Sequence, residues 1–483
     1  MKPADYPGQP ENLWNIFYDF TQTPRPSKKE DKIRKYLLDL AQKQSLETKT
    51  DDVGNIVIFV PGKNGRENDE PLLIQNHIDM VTDSLNTIQI DFENDPLKLK
   101  IENGWLKAEG TTLGADNGIG CAAALATIFD DTIVHPPLEL LFTVDEETGL
   151  NGALGLDTSM LSAKKMLNLD TEEWGSLYIG CAGGIDYELT KDFNLSEESA
   201  DLPSFKISVA GFLGGHSGLD IHEQRGNALK FLSEILSELS LENDFHLCEL
   251  RGGRAHNIIP RDAFAVISAQ NDVSEALKKA AEKISHEWQS FLPQNDQNFH
   301  FDIERLDQVQ AGLSLADTQS CLQILLLFPH GAHAYDLNAK EIVSMSNNMA
   351  RVLMVRGKFY IQSSLRFFDR EEVKSLERKL KALGKCYDLH VVANSEYPSW
   401  KPSADNPVLD QVKACYRELY GKDPIVTAIH AGLECGILRD KIGPLDVVSF
   451  GPTIEGAHSP DERVEIASVE KFWDLFRNVL AKI

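Results

Sequence analysis

The sequence predicts an α/β fold: a mostly parallel mixed sheet flanked by helices, interrupted by an inserted α+β domain. Three observations carry this. Apolar runs of strand length recur at 55–60, 72–76, 138–144 and 166–169. A run of small residues, Asn117-Gly118-Ile119-Gly120-Cys121-Ala122-Ala123-Ala124-Leu125-Ala126, reads as a helix packed tightly against a sheet. The texture then changes near residue 187 and returns near 397.

Taken in order, residues 11–45 form a helical entry segment with Leu13, Ile16, Phe17 and Phe20 at helical spacing. Two apolar strands follow, then the turn-rich Gly110-Thr111-Thr112-Leu113-Gly114, and Asp116 at the start of the small-residue helix, where the helix dipole favours a carboxylate. Within 187–396, the stretches 205–209 and 264–268 alternate like half-buried strands, and 228–239 and 273–291 read as amphipathic helices. The final part brings a helix at 407–420, a strand at 446–450 and a closing helix at 467–482. The expected division is therefore 1–186 plus 397–483 as one domain, with 187–396 inserted.

Forty-eight basic residues face 74 acidic ones, for a net charge of −26. That balance argues against binding to nucleic acid or an anionic membrane surface, since both need clustered positive charge. Seven cysteines with no CxxC pair read as buried thiols in a reducing compartment. The opening MKPADYPGQPENLW has no basic stretch followed by an apolar one, so no signal peptide is expected, and no apolar run reaches membrane-spanning length. The expected location is the cytoplasm.

Five potential metal ligands stand where these apolar runs end: His77, Asp116, Glu147, Asp170 and His458. In open α/β sheets, groups distant in sequence converge beyond the carboxyl ends of the strands. Two imidazoles and three carboxylates suit zinc, cobalt or manganese. Singly, each has a plain reading: HxD at 77–79 as a surface pair, Asp145-Glu146-Glu147 as an acidic loop, Asp116 as a helix cap, His458 as a turn residue. Together they balance charge, because two divalent ions bring +4 against −3 from the carboxylates, leaving +1 to hold a hydroxide. Asp116, at a helix start between the strands, is the natural bridge. Asp79 can orient His77 from the same strand face, and Glu146 stays free to take a proton while Glu147 ligates. Gly215-His216-Ser217-Gly218 lacks the G-x-S-x-G spacing of a nucleophile elbow. His330 and His333 in Phe328-Pro329-His330-Gly331-Ala332-His333 read as loop residues.

The strings QNHIDM (75–80), GTTLGADNGIG (110–120), DEETGLNGALGL (145–156), NLDTEEWGSLYIGCAGG (168–184), GGHSG (214–218), HAGLECG (430–436) and GPTIEGAHSPDE (451–462) make the chain resemble a known family. It is that of zinc aminopeptidases, carboxypeptidases and aminoacylases with co-catalytic metals, and within it the bacterial cytosolic dipeptidases. The resemblance implies a catalytic domain interrupted by a lid. It implies one zinc on His77 and Asp170, a second on Glu147 and His458, and Asp116 between them. Asp79 would orient His77, and Glu146 would be the general base. His216 would stabilise the oxyanion from the lid, Asn257 and Arg366 would grip the substrate, with Arg366 on its C-terminal carboxylate, and Gly432 and Glu434 would line the substrate-facing wall. The plain reading of Arg366 is a pair with a nearby acid such as Asp369.

The expected activity is a metallo-dipeptidase acting on a broad range of unblocked dipeptides, with Xaa-His among the candidates. Its cofactors would be two divalent ions per chain, zinc first, with cobalt or manganese tolerated by the same ligands. A di-metal N-acyl amino acid deacylase, tripeptidase or carboxypeptidase is the alternative, and a non-catalytic metal-binding protein a remote one. The partner is a small peptide substrate, and a homodimer through the lid is an open alternative to the monomer.

Overall fold

The registers of four central strands explain why distant residues arrive at one edge. The computed structural model describes residues 2–307, 311–336, 342–403 and 405–483. The chain divides into two units, Met1–Cys181 with Trp400–Ala428 and Leu433–Ile483, and Ala182–Ser399 with Ile429–Gly432. Against the expected limits of 186 and 397, the second unit also takes in the four residues Ile429–Gly432.

The first unit is built on β1 (Glu47–Thr50), β2 (Ile56–Val60), β3 (Leu72–His77), β4 (Leu138–Thr143), β5 (Lys165–Asn168), β6 (Ser176–Cys181), β7 (Ile425–Ile429) and β8 (Asp446–Ser449). They lie in the order β1-β2-β4-β3-β5-β8-β6-β7. The central β4, β3, β5 and β8 run parallel, and β1, β2 and β6 are antiparallel additions. The sheet is thus mixed with a parallel centre. Every residue of β3 and β4 is buried, as strands covered on both faces require. His77 pairs with Thr143, and Asn168 with both Gln75 and Ser449. The four carboxyl ends therefore finish nearly level, and the segments bearing Asp79, Glu146, Glu147 and Asp170 leave from one rim.

The entry segment is two helices, α1 (Glu11–Gln22) and α2 (Asp31–Lys43). Pro24 and Pro26 interrupt the pattern, because proline removes a backbone donor and disfavours helical geometry before it. The helix α3 (Ala115–Phe129) packs on the sheet as its small residues require. A Cβ on Gly120 would lie 2.3 Å from Asn76 Oδ1 and 2.5 Å from the Leu169 carbonyl, and one on Gly118 would lie 3.0 Å from the Phe17 ring.

The second unit holds an antiparallel sheet of nine strands, in the path His300–Leu306, Ser204–Ala210, Ala263–Ser268, His246–Gly252, Val343–Val355, Lys358–Phe367, Gly183–Asp192 and His390–Tyr397, with Gly331–Tyr335 added beside Val343–Val355. Ala228–Leu239, Ser274–Gln289, Leu315–Leu327 and Arg370–Tyr387 are its helices, and their apolar faces join one core around Phe205, Phe212, Phe231 and Leu365. This is the α+β texture expected. His333 corrects its loop assignment, because it lies in the Gly331–Tyr335 strand. His330 precedes that strand, and its Nδ1 accepts the Met349 N–H at 3.3 Å. The thiols are free, and Cys386 alone among them is exposed.

Candidate metal centre and active site

His77 is the last residue of β3 and is buried. Its Nε2 lies 3.0 Å from Asp116 Oδ1 and 3.3 Å from Asp170 Oδ1, while Nδ1 faces Asp79 Oδ1 at 3.4 Å. The other oxygen of Asp116 lies 3.2 Å from His458 Nε2, which is also 3.0 Å from Glu147 Oε2. Asp116 thus stands between two imidazoles with one carboxylate oxygen toward each. The donor atoms form overlapping triads, His77–Asp116–Asp170 and Asp116–Glu147–His458, and Glu146 joins His77 and Glu147 in a third, each within 4.8 Å. All five residues expected as ligands, with Glu146, come together in the first unit.

Asp79 is the brace. Its Oδ1 accepts the Glu146 N–H at 3.0 Å, and Oδ2 accepts the Glu147 N–H at 3.2 Å and the Ser27 hydroxyl at 2.7 Å. One buried carboxylate therefore orients His77 and also fixes the backbone of both glutamates. Burial works to raise its pKa, but the hydrogen bonds from His77, Glu146 and Ser27 win and hold it below the ordinary value.

Crowded carboxylates dominate the electrostatics. Burial raises Glu146 well above the glutamate range, with the charges of Glu147, Asp170 and Glu434 adding to it. Burial and the neighbouring Asp116 raise Glu147. Asp170 is pushed up to about 6 by burial, against the pull of His77 and with the charge of Asp116. Asp116 goes the other way: burial opposes ionisation, but hydrogen bonds to His458 and His77 hold it well down. Those to Asp116 and Glu147 push His458 up to about 12. Glu147 Oε1 is buried without a hydrogen-bond partner. Mutual repulsion of this kind is relieved by cations placed among the oxygens, so the residues fit divalent ions.

Glu434, expected on the substrate-facing wall, is fully buried instead. Its Oε2 accepts Gln75 Nε2 and the Thr143 hydroxyl, both at 2.6 Å, and burial raises its pKa to about 7. It belongs to a polar network beneath the strand ends, where Asn168 Nδ2 also donates to Gln75 Oε1 at 2.6 Å. Gly432 belongs to the second unit, where the Tyr397 ring lies 3.0 Å from the position its Cβ would take.

In the second unit His216 and Arg366 meet. Arg366 is the penultimate residue of the Lys358–Phe367 strand, 5% exposed. Its guanidinium reaches the Ser217 hydroxyl at 3.4 Å, the Tyr397 hydroxyl at 3.2 Å and His216 Nε2 at 3.3 Å. His216 Nδ1 accepts the N–H groups of Gly218 and Leu219 at 3.2 and 3.0 Å. A neutral ring so engaged carries its proton on Nε2. Arg366 Nη2 and His216 Nε2 thus lie next to one another at the end of the strand. Asn257 is tied to the same loop, its carbonyl accepting the Ser217 N–H at 2.8 Å. Asp369 caps the following helix by accepting the Glu371 N–H at 2.9 Å.

Sequence reasoning missed Ser217, Tyr397 and His430. His430 Nε2 lies 2.8 Å from the Ser346 hydroxyl, and burial with the Arg366 charge pushes its pKa down to about 3. A serine, a tyrosine or a buried histidine carries no spacing signal of its own; the adjoining GGHSG and HAGLECG strings were the only pointers.

The sequence profile of Peptidase family M20/M25/M40 matches residues 73–482. The chain belongs to this family. Among M20 peptidases, it is 38% identical over 476 residues to the cytosol non-specific dipeptidase of Escherichia coli K12, covering 98% of each chain. The crystal structure of aminoacylhistidine dipeptidase from Vibrio alginolyticus matches with a TM-score of 0.85 at 34% identity, over 98% of this chain and 97% of that one. A tripeptidase from Staphylococcus aureus matches with a TM-score of 0.56 at 16% identity, over 98% and 97%, a likeness of fold alone. This M20 member is therefore a peptidase, and its first unit carries the donor set of a metallopeptidase.

Proposed function

We propose that the chain is a metallo-dipeptidase hydrolysing a broad range of unblocked dipeptides, Xaa-His peptides among them. The observation that carries the metal-dependent reading is Asp116, whose two oxygens face His77 at 3.0 Å and His458 at 3.2 Å. His77 and Asp170 would hold one ion, Glu147 and His458 the other, and Asp116 would bridge. The dipeptide preference is supported by the relatives from Escherichia coli and Vibrio alginolyticus. Zinc is the first choice among the metals that nitrogen and oxygen donors accept, with cobalt and manganese next. When bound, such ions acidify water and polarise the scissile carbonyl.

The chain's own residues supply the rest. Glu146 takes a proton from the attacking water and returns it to the leaving amine. Its backbone is held by Asp79, and a carboxylate raised by burial takes up a proton more readily than a solvated one. His216, with its proton on Nε2, donates to the oxyanion. Arg366 binds the peptide's terminal carboxylate, and Asn257 assists in holding the substrate.

The cytoplasm is the proposed location. Among the described residues, no helix is long and apolar enough to cross a membrane. A homodimer through the second unit is an expectation for sedimentation to test.

The experiment is a panel of dipeptides, their N-acetylated forms and tripeptides, run on the metal-stripped chain restored with zinc, cobalt or manganese. Metal-dependent cleavage, fastest on free dipeptides, is expected. Faster cleavage of acetylated substrates or tripeptides would move the assignment to a deacylase or tripeptidase. No turnover with any metal would refute the enzyme.

A further inference from the structure

The loop that delivers His458 also carries Glu462, 2% exposed. Its carboxylate receives four consecutive backbone N–H groups. Leu113 and Gly114 donate to Oε2 at 2.6 and 2.9 Å, and Ala115 and Asp116 to Oε1 at 2.7 and 3.4 Å. These donors stand at the start of α3, where N–H groups have no partner within the helix. Negative charge there is favoured by the helix dipole.

Arg25, 1% exposed, works from the other side. Its guanidinium donates to the carbonyls of Ile78 at 3.0 Å and Asp79 at 2.8 Å, and to that of Gly114. Gly114 is therefore gripped at both ends of its backbone, by its N–H through Glu462 and by its C=O through Arg25. It adopts φ 67°, and a Cβ there would lie 2.4 Å from the Arg25 guanidinium. Two buried opposite charges share one residue's backbone, so each offsets the cost of burying the other.

We propose that Arg25 and Glu462 are a positioning pair: they set Asp116 between the two imidazoles, and Glu462 locks the His458 loop to the start of α3. The proposal rests on the two-ion reading above. Arg25 ties Asp116 to the end of β3 that bears His77. Glu462 is joined to His458 by a short loop and to the backbone of Leu113–Asp116 by hydrogen bonds, so its loss falls chiefly on the Asp116–Glu147–His458 position.

The test is zinc titration of the metal-free full chain against a chromophoric chelator, beside a thermal melt of the same metal-free chain. In E462Q, one acceptor oxygen becomes an NH2 group facing backbone donors. The first ion should bind within about threefold of wild type and the second about tenfold or more weakly, the usual scale for groups that hold ligands. The metal-free melt should stay close to wild type. Unchanged affinity for both ions overturns the proposal. Equal weakening of both with a lowered melt also overturns it, because that reports general loosening. If E462Q does not fold, E462D keeps the charge with a shorter reach and is judged by the same criteria. A wild-type chain that takes up fewer than two ions overturns the two-ion reading and this proposal with it, whereas the comparison of variants overturns the proposal alone.

Discussion

Replacing Asp79 by asparagine tests the coupling between ligand and base directly. The carboxylate accepts two backbone N–H groups at 3.0 and 3.2 Å and one hydroxyl at 2.7 Å, and it faces His77 Nδ1 at 3.4 Å. An amide of the same shape retains one acceptor oxygen and turns an NH2 group toward either the Glu146 N–H and the imidazole or the Glu147 N–H and the Ser27 hydroxyl. Hydrogen bonds to a charged group contribute about 1.5–3 kcal/mol against about 0.5–1.5 for neutral ones. Weakening one and losing another should therefore cost on the order of 2–4 kcal/mol at the site. At about 1.4 kcal/mol per factor of ten, kcat/KM should fall by roughly thirtyfold to a thousandfold. The assay is initial-rate kinetics on a free dipeptide with saturating zinc, with zinc content measured on the same sample. A fall of less than about threefold at full metal content would refute the view that Asp79 holds His77 and the Glu146–Glu147 backbone in working geometry.

Three other outcomes are expected. Glu146→Ala should lower kcat by several orders of magnitude while zinc stays near two per chain; joint loss of metal would make Glu146 a ligand instead of the base. Arg366→Ala should lower kcat/KM for free dipeptides and erase the advantage over their C-terminal amides, whereas a wild-type preference for the free carboxylate would rule out the clamp. His430, held neutral by burial and by Arg366, has its pKa depressed to about 3, so between about pH 6.5 and 3 the unfolded chain binds the extra proton and stability falls with pH. His430→Gln should flatten that acid limb in urea melts taken from pH 7 to 4, and parallel curves would count against the assignment.

How far the chain could be read before folding is clear from particular elements. The helix at 407–420 was expected and is found as Pro407–Tyr420, with Asn406 capping it by accepting the Val408 N–H at 3.0 Å. The helix at 228–239 likewise matches Ala228–Leu239, because both carry strong amphipathic spacing and a local start signal. The entry segment was read as one helical stretch, and its prolines divide it. His333 reads as a loop residue in the sequence, yet pairing with Val343–Val355 draws its segment into a sheet edge. Strand pairing is a non-local choice that turn residues alone do not reveal.

The sequence by itself determined the parallel α/β core, the inserted α+β region, and the set of residues from which a metal site is built. It could do so because periodicity is local and because ligand types end strands in a fixed order. Only the tertiary structure decided which oxygen of Asp116 meets which imidazole, that Asp79 braces both glutamates, and that Glu434 sits buried beneath the strands. It alone showed Arg25 and Glu462 meeting at Gly114. Those outcomes depend on register, burial and the aim of single hydrogen bonds between segments up to several hundred residues apart, and no local pattern records them.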